Sequence, residues 1–243
     1  MGLMSLNTQA WVQRKQQLLN VFLSGSCALC NRPSSDSVCA GCKRQVQQNQ
    51  LQSSLYQGQA GLPVISWGSY EGSLKQCLAS LKYDSRQDVG RFLGIELAQT
   101  WLKGVSHRRH KPGRPLIVVP VPLHGSKLQQ RGFNQAETLA TWFCRATHLP
   151  LYNQLLLRTQ ATQAQHGLNR RARFDNLASA FSVNRHQSAT LNHTTAWLID
   201  DIFTTGATAV ACARVLRRHG ISVAGICTVA RTLSAAESQS RHC

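Results

Sequence analysis

Acidic side chains are scarce in this sequence, and long apolar runs are absent. The 243 residues contain 10 Asp and Glu against 27 Lys and Arg, a formal net charge of +17. No apolar run approaches the roughly 18 residues of a membrane-spanning helix, so we expect no membrane insertion. The run Leu18–Leu23 is too short for the hydrophobic region of a signal peptide, and we therefore expect a cytoplasmic protein.

The excess of positive charge does not specify a fold, but it does indicate what the protein binds. Nucleic acid, an anionic membrane surface or a phosphate-rich ligand would each suit it, whereas a solvated basic face that only aids solubility is the alternative. Hydrophobic residues make up 42% of the chain, enough for a normal core. The length fits one α/β domain with a small accessory module.

Four of the nine cysteines are closely spaced near the N-terminus, in the stretch CALCNRPSSDSVCAGC. Cys27 and Cys30 form one C-x2-C pair, and Cys39 and Cys42 form a second after eight residues. Two such pairs can complete a tetrahedron of thiolates, so we expect a structural Zn²⁺ ion rather than a pair of redox motifs or chance cysteines. Four protein ligands leave no open position, which excludes a catalytic role for this metal.

Beyond the cysteines, apolar runs of strand type alternate with helical periodicity. Such alternation predicts an α/β fold with a parallel sheet flanked by helices. We expect two units, an N-terminal helix and zinc knuckle over residues 1–60 and an α/β domain over residues 61–243. The predicted strands cover 62–70, 116–122, 196–201 and 221–230, and the predicted helices cover 72–83, 89–102, 134–148 and 207–219.

The stretch WLIDDIFTTGAT, residues 197–208, combines a strand with two adjacent carboxylates and a turn. Neighbouring strand residues point to opposite faces, so Asp200 and Asp201 can serve one ligand only if the chain turns there. Gly206 would allow close backbone approach, and the helix that follows offers free N–H groups to a phosphate. A ligand with a 5′-phosphate, a ribose and Mg²⁺ fits all of these features. An ordinary strand–turn–helix with a capping Thr is the alternative.

This stretch resembles the loop of type I phosphoribosyltransferases that binds 5-phosphoribosyl-1-pyrophosphate (PRPP), although Phe203 replaces the usual branched aliphatic residue. The remaining motifs are similar to the ComF family, the ComFC- and GntX-like competence and DNA-utilisation proteins. The resemblance covers nearly the whole chain and rests on the cysteine knuckle and on YEGSLKQCLASLKY, VPVPLHGSKLQQRGFNQAETLA and RTQATQAQHGLNRRARFDNLASAF. It implies a type I phosphoribosyltransferase-like α/β fold.

The resemblance also implies roles for individual residues. Asp200 and Asp201 would hold the ribose hydroxyls. The 5′-phosphate would lie against Thr204, Thr205, Gly206, Ala207 and Thr208. The pyrophosphate would meet Val121, Pro122, Arg131 and Lys127, with His124 either contributing or serving only as a loop histidine. Arg158, Thr162 and Gln165 would belong to a mobile covering loop, while Gly132 and Asn134 could merely shape a turn and a helix cap.

Basic residues in the middle of the chain are candidates for contact with nucleic acid. They are Arg108, Arg109, Lys111, Lys127, Arg170, Arg171 and Arg173, the last three of which could instead form a solvated helix face. Aromatic side chains could stack on bases. The candidates are Trp67, Tyr70, Trp101, Phe133 and Trp142, most of which have the spacing of core residues.

Three functions therefore stay open at this point. By family resemblance the protein binds PRPP with Mg²⁺ and single-stranded DNA, and acts with DNA-uptake proteins in natural transformation or in the use of DNA as a nutrient. Alternatively it is an active phosphoribosyltransferase with an unidentified acceptor, for which no catalytic residue is identified and the 13 residues after the last strand supply no hood. A third possibility is a regulatory module that senses PRPP without turning it over.

Overall fold

The computed structural model describes residues 25–58, 61–105, 114–159, 180–234 and 237. The predicted N-terminal helix falls outside these residues. Within them the helices are α1 Ala40–Gln47, α2 Gly72–Tyr83, α3 Gln87–Val105, α4 Gly125–Arg131, α5 Gln135–Thr147, α6 Arg185–Ser188 and α7 Ala207–Arg218. The strands are β1 Leu55–Gln57, β2 Pro63–Ser69, β3 Leu116–Pro120, β4 Leu156–Arg158, β5 Phe181–Val183, β6 Thr195–Phe203 and β7 Ser222–Arg231.

Five strands form one sheet in the order β1-β2-β7-β6-β3. The strands β2, β7, β6 and β3 run parallel, and β1 pairs antiparallel with β2 at the edge. A separate antiparallel pair, β4 with β5, lies on either side of residues 160–179 in the sequence. The expected α/β class, with a parallel sheet flanked by helices, is confirmed. Because these four strands are parallel, their carboxyl ends lie at the same end of the sheet, where ligands of open α/β sheets bind.

Apolar side chains cover both faces of the sheet. On one face Trp101 meets Phe143 and Trp197 edge-on, with ring centroids 5.6 and 6.0 Å apart. This cluster includes residues of α2, α3 and α5, and it also takes in Val38 and Val46 from the N-terminal module. The other face packs against α7 and the β4–β5 pair. Neighbouring residues of β6 point to opposite faces of the sheet, so they meet different helices.

The cysteine-bearing segment is joined to the sheet domain through a continuous core and through one arginine. Arg86 donates from Nη2 to the carbonyl oxygen of Ser26 at 2.6 Å, and its guanidinium also pairs with Asp88. Strand β1, which precedes residue 60, is part of the main sheet. The division of the chain at residue 60 stays a prediction.

The structure lengthens the key strand relative to the sequence-based expectation. The prediction ended the strand at Asp201, but β6 continues to Phe203 because Ile202 and Phe203 still pair with Ala230 and Arg231 of β7. The turn therefore begins at Thr204. Among the described residues, no helix is both long and apolar enough to cross a membrane.

Candidate functional site

The two adjacent carboxylates lie in the last part of β6 and have different surroundings. Asp201 is 5% exposed and forms an ion pair with Lys82, at the end of α2. The Lys82 side chain is only 16% exposed, so this pair is largely removed from water. Lys82 was not among the predicted site residues. The signal was present in the sequence, because Lys82 follows Leu78 by four residues and so continues the buried stripe of α2.

Asp200 does not share the Lys82 ion pair, and it is partly exposed, whereas Asp201 is buried. Its Oδ1 accepts a hydrogen bond from the backbone N–H of Asp201 at 2.9 Å. Burial, together with the neighbouring Asp201 carboxylate, raises the pKa of Asp200 well above its usual range. On this side of the sheet Arg158 lies within electrostatic reach, and burial lowers the pKa of its guanidinium. The pair of acids is thus an electrostatically costly arrangement at the edge where ligands are expected.

The turn after β6 presents polar groups at the start of a helix. Thr204 and Thr205 are exposed, and Gly206 adopts a left-handed conformation with φ of 75°. No side chain caps α7 in the way a Ser or Asp would, although the N–H of Ala207 is 3.4 Å from Thr205 Oγ1. A left-handed residue followed by a helix of 12 residues orients successive N–H groups towards one point, a geometry suited to a phosphate.

Phe203, the departure from the phosphoribosyltransferase pattern, packs directly beneath this turn. A Cβ placed on Gly206 would come within 2.5 Å of the Phe203 ring, and one on Gly58 would come within 3.2 Å of it. Tyr56 meets the same ring edge-on at 6.4 Å. The larger side chain is therefore accommodated by glycine at two neighbouring positions, and Gly206 is required both by its φ angle and by close packing.

Arg231, the last residue of β7, is a second buried cation that sequence reasoning missed. It pairs in register with Phe203 and is 6% exposed. Its two terminal nitrogens donate to the Glu237 carboxylate at 2.6 and 3.1 Å, and its guanidinium lies 4.8 Å from the centre of the Tyr56 ring. The Arg231 contact and the Ser234 N–H lower the pKa of Glu237 to about 2.

The predicted pyrophosphate segment follows β3 and is held by backbone and side-chain bonds. The N–H of Val121 donates to the Ile199 carbonyl at 2.9 Å, which places Val121 and then Pro122 beside the acidic part of β6. Asn134 donates from Nδ2 to the Val121 carbonyl at 3.1 Å, while its Oδ1 accepts from the N–H of Ala136. Asn134 is thus more than a helix cap, because it also fixes the predicted pyrophosphate segment to the start of α5.

The remaining predicted residues of this segment occupy α4 and its cap. His124 is the N-cap of α4, and its Nδ1 accepts from the Ser126 N–H at 3.2 Å. Arg131 ends the helix, donates to Gln135 Oε1, and lies with its guanidinium 5.6 Å from the Tyr83 ring centre. Tyr83 follows Lys82, so the ends of α2 and α4 place two cations on one side of the sheet edge.

The four cysteines converge as the spacing predicted, and together they could hold a metal ion. The four Sγ atoms of Cys27, Cys30, Cys39 and Cys42 all lie within 4.8 Å of one another, and those of Cys30 and Cys39 are 3.8 Å apart. A tetrahedral zinc site with Zn–S bonds of about 2.3 Å needs sulfurs about 3.8 Å apart. The observed spacing therefore fits a four-thiolate site.

The local backbone also favours thiolates at Cys27 and Cys39. Burial by itself would raise the pKa of Cys27, yet backbone N–H groups of Cys39, Leu29 and Cys30 outweigh burial and lower it to about 6. The N–H of Cys39 points at Cys27 Sγ at 3.3 Å. Such N–H groups stabilise negatively charged sulfur, the form that binds metal.

Most of the predicted nucleic-acid candidates fall outside the described residues. Lys127 is described, and it lies exposed on α4. Of the aromatic candidates, Trp67, Trp101 and Phe133 are buried, whereas Trp142 is only half-buried. The nucleic-acid candidates outside the described ranges are Arg108, Arg109, Lys111, Arg170, Arg171 and Arg173. The predicted covering-loop residues Thr162 and Gln165 also lie outside them.

Known proteins with similar sequences are named as DNA-utilisation or competence proteins. The chain is 29% identical to the DNA utilization protein YhgH of Salmonella typhi over 230 residues, which covers 86% of this chain and 98% of that relative. It is 27% identical to competence protein F of Haemophilus influenzae, covering 81% and 91%, and 28% identical to competence protein ComFC of Bacillus subtilis, covering 80% and 72%. This chain is a homologue of the ComF-type competence and DNA-utilisation proteins. The family resemblance seen in the motifs is thereby confirmed, although no family model matches the chain.

Solved structures give only distant likenesses to this ComF homologue. The UMP synthase of Leishmania donovani is 15% identical with a TM-score of 0.35, over 78% of this chain and 30% of that one. An adenine phosphoribosyltransferase is 13% identical with a TM-score of 0.39, over 81% and 94%. Neither likeness specifies a substrate for this chain.

Proposed function

We propose that this ComF homologue binds PRPP with Mg²⁺ and binds single-stranded DNA, and that it acts in the cytoplasm during DNA uptake or the use of DNA as a nutrient. The proposal rests on one observation above all. Two carboxylates near the end of β6 are followed, after Ile202 and Phe203, by exposed threonines and a left-handed Gly206 at the start of α7. The names of the homologues supply the cellular context.

In this proposal the phosphate, the ribose and the pyrophosphate of PRPP each contact a different segment of the site. The 5′-phosphate occupies the N–H groups and hydroxyls of residues 204–208, where the helix dipole favours negative charge. The ribose hydroxyls donate to the Asp200 carboxylate. Because β6 runs on to Phe203 without turning, Asp201 points to the opposite face of the strand and is held there by Lys82. The pyrophosphate lies near Val121 and Pro122, with Arg131 and Lys82 as nearby cations. Mg²⁺ offsets the remaining negative charge and uses oxygen ligands, which it prefers.

The four-cysteine site carries structural Zn²⁺ in this proposal. Thiolate ligands without a further donor suit zinc, and the site contains no open position for substrate. Its place in the molecule agrees with a structural role, because Val38 and Val46 beside it belong to the same core as the sheet.

A phosphorus NMR time course tests the PRPP half of the proposal. The protein is incubated with Mg²⁺ and PRPP, and the Asp200→Asn, Asp201→Asn double variant is the control. Shifted or broadened PRPP signals in the wild type alone would support a binding protein. Unchanged signals at protein concentrations comparable with PRPP would refute the assignment.

The same experiment decides whether turnover occurs. Pyrophosphate that appears faster than in a protein-free sample, and not with the double variant, would establish a phosphoribosyltransferase and start the search for its acceptor. The DNA half is tested separately by fluorescence anisotropy of a labelled oligothymidine. Binding that weakens steeply as salt rises is expected, because each neutralised phosphate releases counterions. Absence of binding at low salt would refute that half.

A further inference from the structure

An open groove of about 460 Å³ lies beside α5, outside the predicted PRPP site. Its walls come from Gln87 of α3, Leu128 of α4, residues 132–134 and one face of α5. Leu128 is 43% exposed, so the groove offers apolar surface to solvent as well as polar groups. A groove of mixed character that is open along its length suits an extended ligand better than an enclosed small molecule.

Trp142 on the α5 wall is held by two arginines. The guanidinium carbon of Arg145 lies 4.4 Å from the ring centre, and that of Arg91 lies 5.2 Å from it. Both arginines are exposed, whereas the tryptophan is half-buried. A planar guanidinium held against an indole can itself stack on a base and still contact a phosphate. The group therefore combines the two contacts that single strands require.

Glu137 is the acidic residue among those that line the groove, and its single negative charge is outnumbered by Arg91, Arg145 and Lys127 nearby. Glu137 Oε1 accepts a hydrogen bond from Asn153 Nδ2 at 2.7 Å. The exposed Lys127 on α4 adds positive charge beside Leu128. The charge of the groove surroundings therefore favours an anionic ligand over a cationic one.

We propose that this groove binds single-stranded nucleic acid, with bases against the Arg–Trp group and phosphates on Arg91 and Arg145. A base-paired duplex fits less well, because its bases are stacked on one another and cannot reach a half-buried ring. The inference rests on the proposed function, since it names the surface by which the protein takes up its DNA partner. It keeps Trp142 from the aromatic candidates and assigns the phosphate contacts to Arg91 and Arg145, which were not among the basic candidates of the sequence.

The groove also borders the predicted PRPP site. Its lining includes Asn134, whose side chain holds the Val121 carbonyl. A strand in the groove would thus lie against the same loop that positions the predicted pyrophosphate segment. The two ligands occupy adjacent rather than overlapping surfaces.

The test is anisotropy of a labelled oligothymidine of about 20 nucleotides, titrated with full-length variants over a range of salt. We expect Trp142→Ala to weaken binding about tenfold, because loss of an aromatic stacking partner has an effect of this order. Trp142→Phe should retain most of the affinity. Arg145→Ala should lower the slope of log K against log salt by about 0.7, the value for one phosphate on a single strand.

Arg218→Ala is the matched control. Arg218 is also an exposed arginine in the last turn of a helix, but on α7, which packs against the other face of the sheet. One outcome would refute the groove assignment alone: the wild type binds DNA, but Trp142→Ala and Arg145→Ala bind it no differently from Arg218→Ala. DNA binding by the protein would then stand. A wild type that does not bind at all would overturn both. If thermal melting shows that Trp142→Ala is unfolded, the Arg145 and Arg218 slopes decide the question alone.

Discussion

The two adjacent carboxylates of β6 should respond in opposite directions to the same change, from Asp to Asn. Asp201→Asn leaves the Lys82 ammonium with 16% exposure and without its direct ion-pair partner. Removing one member of a buried pair costs about 3 to 5 kcal/mol, and we take about 3 because Lys82 keeps some contact with water. At about 2 to 4 °C per kcal/mol for a chain of this size, the melting temperature should fall by roughly 6 to 12 °C.

Asp200→Asn should instead stabilise the protein near neutral pH. The folded-state pKa of Asp200 is raised by burial and by Asp201, so keeping this group ionised opposes folding. The penalty is absent below the unfolded pKa of about 3.9, grows as the pH rises towards the folded value, and is constant above it. The variant should therefore melt above the wild type at pH 7, with a difference that vanishes on acidification to about pH 4.

Circular dichroism melting at several pH values measures both effects. Asp36→Asn is a control for the same chemical change at an exposed ion pair, and should leave the melting temperature almost unaltered. Lys82→Met combined with Asp201→Asn should recover much of the loss seen for Asp201→Asn alone, because the Lys82 ammonium is then no longer left without its partner. Equal destabilisation by the two single Asn variants would refute the assignment of different environments to the acids.

Three further outcomes follow from the site geometry. Gly206→Ala should lower the free energy of unfolding by at least about 1 to 2 kcal/mol, because its backbone is left-handed. Adding Phe203→Leu should relieve only the clash of the new Cβ with the Phe203 ring, as urea titrations of the single and double variants will show. Asn134→Ser keeps a helix cap but loses the bond to the Val121 carbonyl, so calorimetry should find weaker PRPP binding at nearly unchanged stability. Chelation of the four-cysteine site should release one metal ion per chain and lower the melting temperature; a metal-free protein of unchanged stability would contradict the structural role.

Elements with strong local periodicity were predictable from sequence. The helix over 72–83 was located to the residue because its apolar spacing is regular. Strands β1, β4 and β5 were missed, since three residues carry no measurable alternation and form only where a partner strand exists. Helix α4 was missed because none of its residues is buried, so it lacks an apolar face.

The candidate site divides in the same way. The turn over 204–208 is contiguous, so its residue types alone suggested a phosphate cradle. Lys82 and Arg231 reach the site only through tertiary packing and β-sheet register, which no short motif encodes. Even so, a lysine on the buried stripe of an amphipathic helix indicates a hidden acid, because an unpaired buried charge would not be tolerated.

The position of Asn134 connects the two proposed ligands. Its side chain holds the Val121 carbonyl, and its loop lines the groove beside α5. A nucleic acid that shifts this loop must change PRPP affinity, and by thermodynamic linkage PRPP must then change DNA affinity by the same factor. Loss of the Asn134–Val121 bond should bring that factor towards one, because the loop at residues 132–134 is then no longer attached to the predicted pyrophosphate segment. Because the two proposed sites share the Asn134–Val121 hydrogen bond, we expect the affinity of the protein for DNA to depend on the PRPP concentration.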